Sequence, residues 1–226
     1  TTFNSVGYVI HNSAAGGNGR DEGHALAIDG NGKIVVAGLS ERVLFNDTDV
    51  AVWRYNADGT LDTTFNSTGF AAHDKAGGSS GSVSDYAYGV TIDSNDKILV
   101  TGSSSSDTDM EMIIWRFDTD GTLDTTFNSV GYVANDDSGT DRDDCGIAIT
   151  TDASGRIVVA GYYNNVLNGE DMALWRYTSS GAPDTSFDSD GVVFHHDAAG
   201  GNGYDRANAL TIDANGKIVV VGSSAA

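Results

Sequence analysis

Aspartate supplies most of the chemistry that this chain could perform. The run Asn135-Asp-Asp-Ser-Gly-Thr-Asp-Arg-Asp-Asp144 sets Asp136, Asp137, Asp141, Asp143 and Asp144 within nine residues. A hard cation such as Ca²⁺ gathers about six to eight oxygens, so this loop is the candidate metal site. It lacks the spacing and the terminal Glu of an EF-hand. Acid pairs recur at Asp47/Asp49, Asp109/Glu111 and Glu170/Asp171. On a strand, alternate residues share a face, so two carboxylates could converge there. The alternative is a solvated loop whose charge keeps a sheet edge from pairing.

Two further stretches, Gly16-Gly-Asn-Gly-Arg-Asp21 and Gly200-Gly-Asn-Gly-Tyr-Asp205, match the Gly-Gly-x-Gly-x-Asp pattern of Ca²⁺-binding β-rolls. That pattern works in tandem, whereas these copies stand about 180 residues apart. An Asp-anchored glycine loop is the expectation. Asp21, Asp85, Asp144 and Asp205 each stand just before a predicted inner strand, where a carboxylate can accept backbone N–H groups. His11, His73 and His195 occupy one position of successive repeats, with Asn135 in the remaining one, too far apart to share a metal. His195-His196-Asp197 is the only local histidine cluster. No Ser/His/Asp set, phosphate loop or zinc spacing is present. Cys145 stands alone at the entry of a predicted strand and is expected to be packed. Catalysis needs an asymmetric site, and the polar residues nearly repeat, so no enzyme is expected.

The elements that must hold these residues repeat. Val52-Trp-Arg-Tyr-Asn-Ala-Asp-Gly-Thr-Leu-Asp-Thr-Thr-Phe-Asn-Ser-Thr-Gly69 returns at Ile114–Gly131 and, more loosely, at Leu174–Gly191. Phe3, Phe65, Phe127 and Phe187 mark the period, at spacings of 62, 62 and 60. A second unit, Leu26-Ala-Ile-Asp-Gly-Asn-Gly-Lys-Ile-Val-Val-Ala-Gly38, recurs at Val90–Gly102, Ile149–Gly161 and Leu210–Gly222. Its two apolar runs around Asp-x-x-Gly-Lys predict a tight hairpin. A strand carrying Trp53, Trp115 or Trp175 follows, and then a short fourth strand such as Gly69–His73. Four antiparallel strands in about 60 residues, with glycine-rich joints, predict all-β propeller blades. The innermost strand would be Ala25–Ile28 and its equivalents, and the tryptophans would pack between blades. One propeller domain, or part of one, then spans 1–226, with repeats at about 1–12 (partial), 13–74, 75–136, 137–197 and 198–226 (partial). The count gives a lone fourth strand first, three complete blades, and the first two strands of another. Either a longer propeller contains this stretch or another chain completes the blade; the former is the expectation.

Arg54, Arg116 and Arg176 each precede an Asp by eight residues, at Asp62, Asp124 and Asp184. A residue pair present in every blade serves the blade, so a structural Arg–carboxylate pair is expected.

Composition fits this outline. Asp outnumbers Glu 28 to 4, which places the acidity in turns rather than helices. A net charge of −20 argues against nucleic acid or an anionic membrane as partner. No apolar run is long enough to span a bilayer. A single cysteine excludes an internal disulfide. Asn46-Asp-Thr48 and Asn66-Ser-Thr68 are sequons, meaningful only in a glycosylating host.

The hairpin unit followed by Trp-Arg-Tyr-x-x-x-Gly-x-Leu-Asp-Thr-Thr-Phe-x-x-x-Gly resembles the delta-60 repeat of bacterial secreted and surface proteins. Asp96 in place of the hairpin glycine, and Ala182-Pro183 in place of Thr-Leu, depart from it. The resemblance implies a propeller of unassigned function at the cell surface or secreted. The functional expectation is a scaffold for binding or assembly with protein partners or itself, including a polymeric surface structure. The alternative is a Ca²⁺-assisted carbohydrate-binding, lectin-like propeller, with Tyr162, Tyr163 and Tyr204 as the aromatic platform.

Overall fold

The computed structural model describes residues 3–12, 14–16, 19–42, 47–74, 76–77, 84–106, 109–135, 143–165, 169–200 and 203–225. Three four-stranded antiparallel sheets and one two-stranded sheet account for the described strands. The first blade holds β1 (Asp21–Ile28), β2 (Ile34–Arg42), β3 (Asp47–Tyr55) and β4 (Phe70–His73). The second holds β5 (Asp85–Ile92), β6 (Ile98–Ser105), β7 (Met110–Phe117) and β8 (Tyr132–Asn135). The third holds β9 (Asp144–Thr151), β10 (Ile157–Asn165), β11 (Gly169–Tyr177) and β12 (Val192–His195). The pair β13 (Asp205–Ile212) and β14 (Ile218–Ser224) stands without further strands among the described residues. Strand order follows chain order in every sheet. The all-β propeller architecture expected from the repeat is the one observed.

Each hairpin is made by its aspartate. Asp29 Oδ1 accepts the backbone N–H groups of Asn31 and Lys33, both at 2.9 Å, which closes the turn and sets the register of β1 on β2. Asp93, Asp152 and Asp213 do the same in the other three repeats. This explains why Asp begins the motif. The turn then needs a left-handed residue: Gly32 has φ 75° and Gly216 φ 77°, but Asp96 holds φ 58° with a side chain attached.

The first strands of successive blades lie beside one another. His24 Nδ1 stands 2.7 Å from the Ala87 carbonyl oxygen, a direct tie from β1 to β5. Alternation then directs the apolar residues. Val35, Ala37, Val50 and Val52 leave one side of the first blade and meet Ile98, Val100, Trp115 and Phe117 of the second, all at 2 % exposure or less. Leu99, Met112, Ile114 and Phe127 meet Ile157, Val159, Trp175 and Tyr177 in the same way at the next joint. The core therefore lies between sheets, and Trp115 and Trp175 pack there as the pattern predicts, whereas Trp53 meets no second blade among the described residues.

The N-terminal segment departs from expectation. The predicted lone fourth strand forms no ladder at residues 8–12, because no third strand stands beside it among the described residues. Val9 packs instead on a small core of Ala14, Trp53 and Tyr55, with His11 edge-on to Trp53 at 6.1 Å and to Phe70 at 5.3 Å.

Candidate functional site

Among the described residues, polar groups recur at each joint between blades. In each repeat the aromatic-Asn-Ser turn projects Phe65 or Phe127 onto a glycine turn of the following blade. A side chain at Gly121, whose φ is +91°, would stand 2.9 Å from the Phe65 ring. The Asn66 N–H donates to the Asp120 carbonyl at 2.6 Å, and Asn128 to Ser180 at 3.0 Å. Phe3 and Asn4 make the same contact on the first blade, where Asn4 N–H reaches the Asp58 carbonyl at 2.6 Å.

The recurring arginine ties this turn down. Arg54 Nε donates to Asp62 Oδ2 at 2.7 Å, and the pairs Arg116–Asp124 and Arg176–Asp184 stand at 2.8 Å. Rather than forking on one carboxylate, the guanidinium divides its donors. Arg54 Nη1 reaches the Thr119 carbonyl of the next blade at 2.5 Å, and Arg116 Nη1 reaches Ser179 at 2.6 Å. Each guanidinium also lies over its own repeat's Phe, 4.7 Å from Phe65 and 4.5 Å from Phe127 and Phe187. Asp124 completes the unit: burial pushes its carboxyl up, but Thr126, Lys97 and Arg116 outweigh this and hold it at about 2. The same balance, with Lys33, Thr64 and Arg54 as partners, leaves Asp62 well below the usual carboxylate range.

The acid pairs mark a second part of the joint. Asp47 and Asp49 are both buried at the start of β3, beside a bridge from Thr48 to Ser84 of the second blade. Arg42 Nη1 stands 3.9 Å from Asp49 and 3.1 Å from Asp74. Burial, reinforced by Asp74, pushes the Asp49 carboxyl up to about 7 against the pull of Arg42. Glu111 and Asp171 are buried at the equivalent positions, 8 % and 5 % exposed. Glu170 forms a two-point ion pair with Arg206 across the third joint.

Of the candidate calcium loop, Asp136, Asp137 and Asp141 lie outside the described residues. Asp143 Oδ1 accepts the Met110 N–H at 3.0 Å, and buried Asp144 accepts from Asn135 Nδ2 at 3.3 Å. The centres of the two Gly-Gly-x-Gly-x-Asp stretches and Asn46 of the first sequon also lie outside them. Among the described residues no three Asp, Glu, His or Cys side chains converge to hold a metal ion. The position of the repeated histidines and Asn135 serves the two complete joints: His73 packs against Tyr132 at 5.4 Å, and Tyr177 donates its hydroxyl to Asn135 Oδ1 at 3.3 Å. Burial lowers the affinity of both His11 and His73 for a proton. His195, His196 and Asp197 are exposed.

Packing takes two of the three candidate tyrosines. Tyr162 lies under the Arg206 guanidinium at 4.5 Å, and Tyr163 is buried against Phe194, ring centroids 4.8 Å apart. Tyr204 is 62 % exposed and lines a shallow cleft with Glu170, Arg206 and Ser223. Cys145 is buried, and burial pushes its thiol up to about 12, out of reach of nucleophilic use at neutral pH.

The open ends are where the symmetry breaks. Val219 and Val221 of β14 stand at the positions of Val35 and Ala37, yet they are 50 % and 65 % exposed where those are fully buried. On the opposite side, Leu26 and Ile28 of β1 are exposed, and Val9, His11, Val36 and Trp53 line a cleft of about 380 Å³.

Comparison with known proteins agrees with this architecture. Residues 30–65, 94–127 and 153–187 match a family described as a domain of unknown function (DUF5122) beta-propeller. No curated protein matches the sequence. A protein of unknown function from Dyadobacter fermentans aligns over 94 % of this chain at 14 % identity and TM-score 0.53, the chain spanning 56 % of that protein. A fucose lectin from Kordia zhangzhouensis, solved with methyl-fucoside, aligns over 67 % of this chain and 90 % of its own at 14 % identity and TM-score 0.40. Three stretches of the chain, one in each four-stranded blade, are thus similar to a β-propeller family whose function is unknown.

Proposed function

We propose that the chain is a non-catalytic propeller scaffold, secreted or at the cell surface, that acts in binding or assembly through its open blade faces and edges. One observation carries this reading. Val219 and Val221 present to solvent the same face that Val35 and Ala37 bury completely between blades. An exposed apolar strand face of this kind is a joining surface for whatever completes the sheet. The acidic composition suits exposure to bulk solvent, and no described helix is long and apolar enough to cross a membrane. Light scattering over a concentration series, with Ca²⁺ and then with chelator, tests the reading. Discrete oligomers or fibres support self-assembly, and their loss on chelation would place Ca²⁺ at the joint. A monomer at every concentration, indifferent to chelator, sinks self-assembly and the calcium role together.

The carbohydrate reading retains a single foothold, the exposed ring of Tyr204 beside Glu170 and Arg206. Calorimetric titration with neutral monosaccharides, repeated on Tyr204→Ala, decides it: heat that survives the substitution removes this site.

A further inference from the structure

We propose that Thr63, Thr125 and Thr185, one in each four-stranded blade, are attachment sites for O-linked sugar. The inference rests on the secreted or surface reading above and adds a covalent modification to it.

The turn that carries each threonine is built by its neighbours. Asp62, Thr63, Thr64 and Phe65 form a four-residue turn closed by the Phe65 N–H on the Asp62 carbonyl at 3.0 Å; the same bond measures 2.9 Å at Phe127 and 2.8 Å at Phe187. Asp62 pairs with Arg54 and accepts the Thr64 hydroxyl at 2.6 Å. Thr126 and Ser186 bond their own Asp in the same way, at 2.5 Å and 2.7 Å. The second residue of the turn is left over. Thr63, Thr125 and Thr185 are exposed, and among the described residues their hydroxyls have no hydrogen-bond partner. A turn of this kind accepts most residues at that place.

Threonine nevertheless stays there while its surroundings change. Gly121-Thr-Leu-Asp-Thr-Thr-Phe-Asn-Ser-Val130 becomes Gly181-Ala-Pro-Asp-Thr-Ser-Phe-Asp-Ser-Asp190 in the next repeat. Hydroxyls in this stretch follow their bonding partners. Thr122 bonds Asp120, and it gives way to Ala182 where Ser180 replaces that Asp. Thr126 gives way only to Ser186, which keeps the bonded hydroxyl. Most retained residues have a structural reason. Gly121 and Gly181 hold φ 91° and 92°, and Ser129 and Ser189 hold φ 63° and 69°, a left-handed backbone that shuts out bulky side chains. The Asp serves the arginine pair, and the Phe lies under the guanidinium. Thr125 and Thr185 have neither a partner nor a positive φ. A hydroxyl kept where the fold makes no use of it points to a use outside the fold.

A sugar fits this place better than a phosphate. Each threonine directly follows a carboxylate held below its ordinary range, buried to 3 % exposure at Asp62 and Asp124, in a chain of net charge −20. A dianionic phosphate is repelled there, whereas a neutral sugar is not. The side-chain amide of Asn66, the sequon's own acceptor, is spent on the Phe70 carbonyl at 3.0 Å, which leaves the threonine hydroxyl as the acceptor. In the transfer, the threonine Oγ1 attacks the anomeric carbon of a glycosyl diphosphate donor held by a transferase. The new C–O bond forms as the bond to the diphosphate breaks, and the hydroxyl proton passes to a base of the transferase.

The test is mass spectrometry of the full chain purified from the organism that makes it, with fragmentation that leaves side-chain bonds intact. Expected are additions of whole sugar residues on Thr63, Thr125 and Thr185, absent from the chain made in a host without the transferase. Thr125→Ala should remove one addition and leave the unfolding temperature unchanged, because the side chain is exposed and bonds nothing. Bare threonines at all three positions, phosphate on them, or sugar only on other residues overturns the proposal. Fractionation of the same cells decides the location separately. Bare threonines on a chain found outside the cytoplasm sink the modification and leave the surface reading; sugars on a chain found only in the cytoplasm do the reverse.

Discussion

Arg54 donates from Nη1 to the Thr119 carbonyl at 2.5 Å, so a side chain of the first blade is bonded to a backbone turn of the second. The same guanidinium holds Asp62 and covers Phe65. One residue thus closes its own turn and fastens the neighbouring blade. Arg116 repeats every part of this arrangement, whereas Arg176 repeats only the parts within its own blade.

That difference yields a paired prediction. Arg116→Ala takes one of two cations from buried Asp124, leaving Lys97 and Thr126 in place, and should destabilise the chain by about 2 kcal/mol. Arg176→Ala, whose Asp184 is less buried, should cost clearly less. Urea unfolding of the two variants checks the ranking. Equal losses would mean that the cross-blade bond contributes nothing.

Stability should respond to pH in two opposed windows. The Asp49 carboxyl holds its proton up to about 7 in the folded chain, so between about pH 4 and pH 7 the unfolded chain binds fewer protons and stability falls as pH rises. Asp124, held at about 2, contributes stability that is present above about pH 4 and is lost as pH falls toward 2. Asp49→Asn should flatten the first slope, raise the midpoint at pH 8 and leave the acid limb intact. An unchanged slope in urea midpoints between pH 5 and pH 8 would contradict the assignment.

At the second hairpin, Asp96 sits at φ 58° where Gly32 and Gly216 sit at 75° and 77°. Asp96→Gly should stabilise the chain by about 0.5–1 kcal/mol, the left-handed strain outweighing the added freedom of the unfolded chain. The reverse change, Gly32→Asp, should cost a similar amount, since nothing crowds that position and only backbone strain is added. Thermal denaturation reads both, and opposite signs are required.

The Cys145 thiol is buried, and burial holds it up to about 12. A thiol reagent at pH 8 should label it only after denaturant is added. Rapid labelling of the native chain would show that the joint around β9 opens readily.

What the sequence disclosed follows from periodicity. The spacing of Phe3, Phe65, Phe127 and Phe187, and alternation around each Trp, were enough to give four-stranded blades with Trp115 and Trp175 between them. The Arg–Asp pairs were legible because both partners are side chains at a fixed offset of eight. Their hold on Thr119 and Ser179 was not, because a backbone acceptor carries no residue signature. Arg42, which shares the buried acid group with Asp49, was missed for another reason: it does not recur in the other repeats, so no pattern marked it. The exposed Val219 and Val221 face was hidden too, since its residues are the ones that other repeats bury.

Hydrogen–deuterium exchange of the β14 amides tests most directly whether this edge is a joining surface. The account predicts that amides Ile218–Ser224 exchange quickly in dilute solution and become protected as chain concentration rises. The amides of β6 and β10, already paired on both sides, should not change. Fast exchange along β14 under every condition would contradict the account.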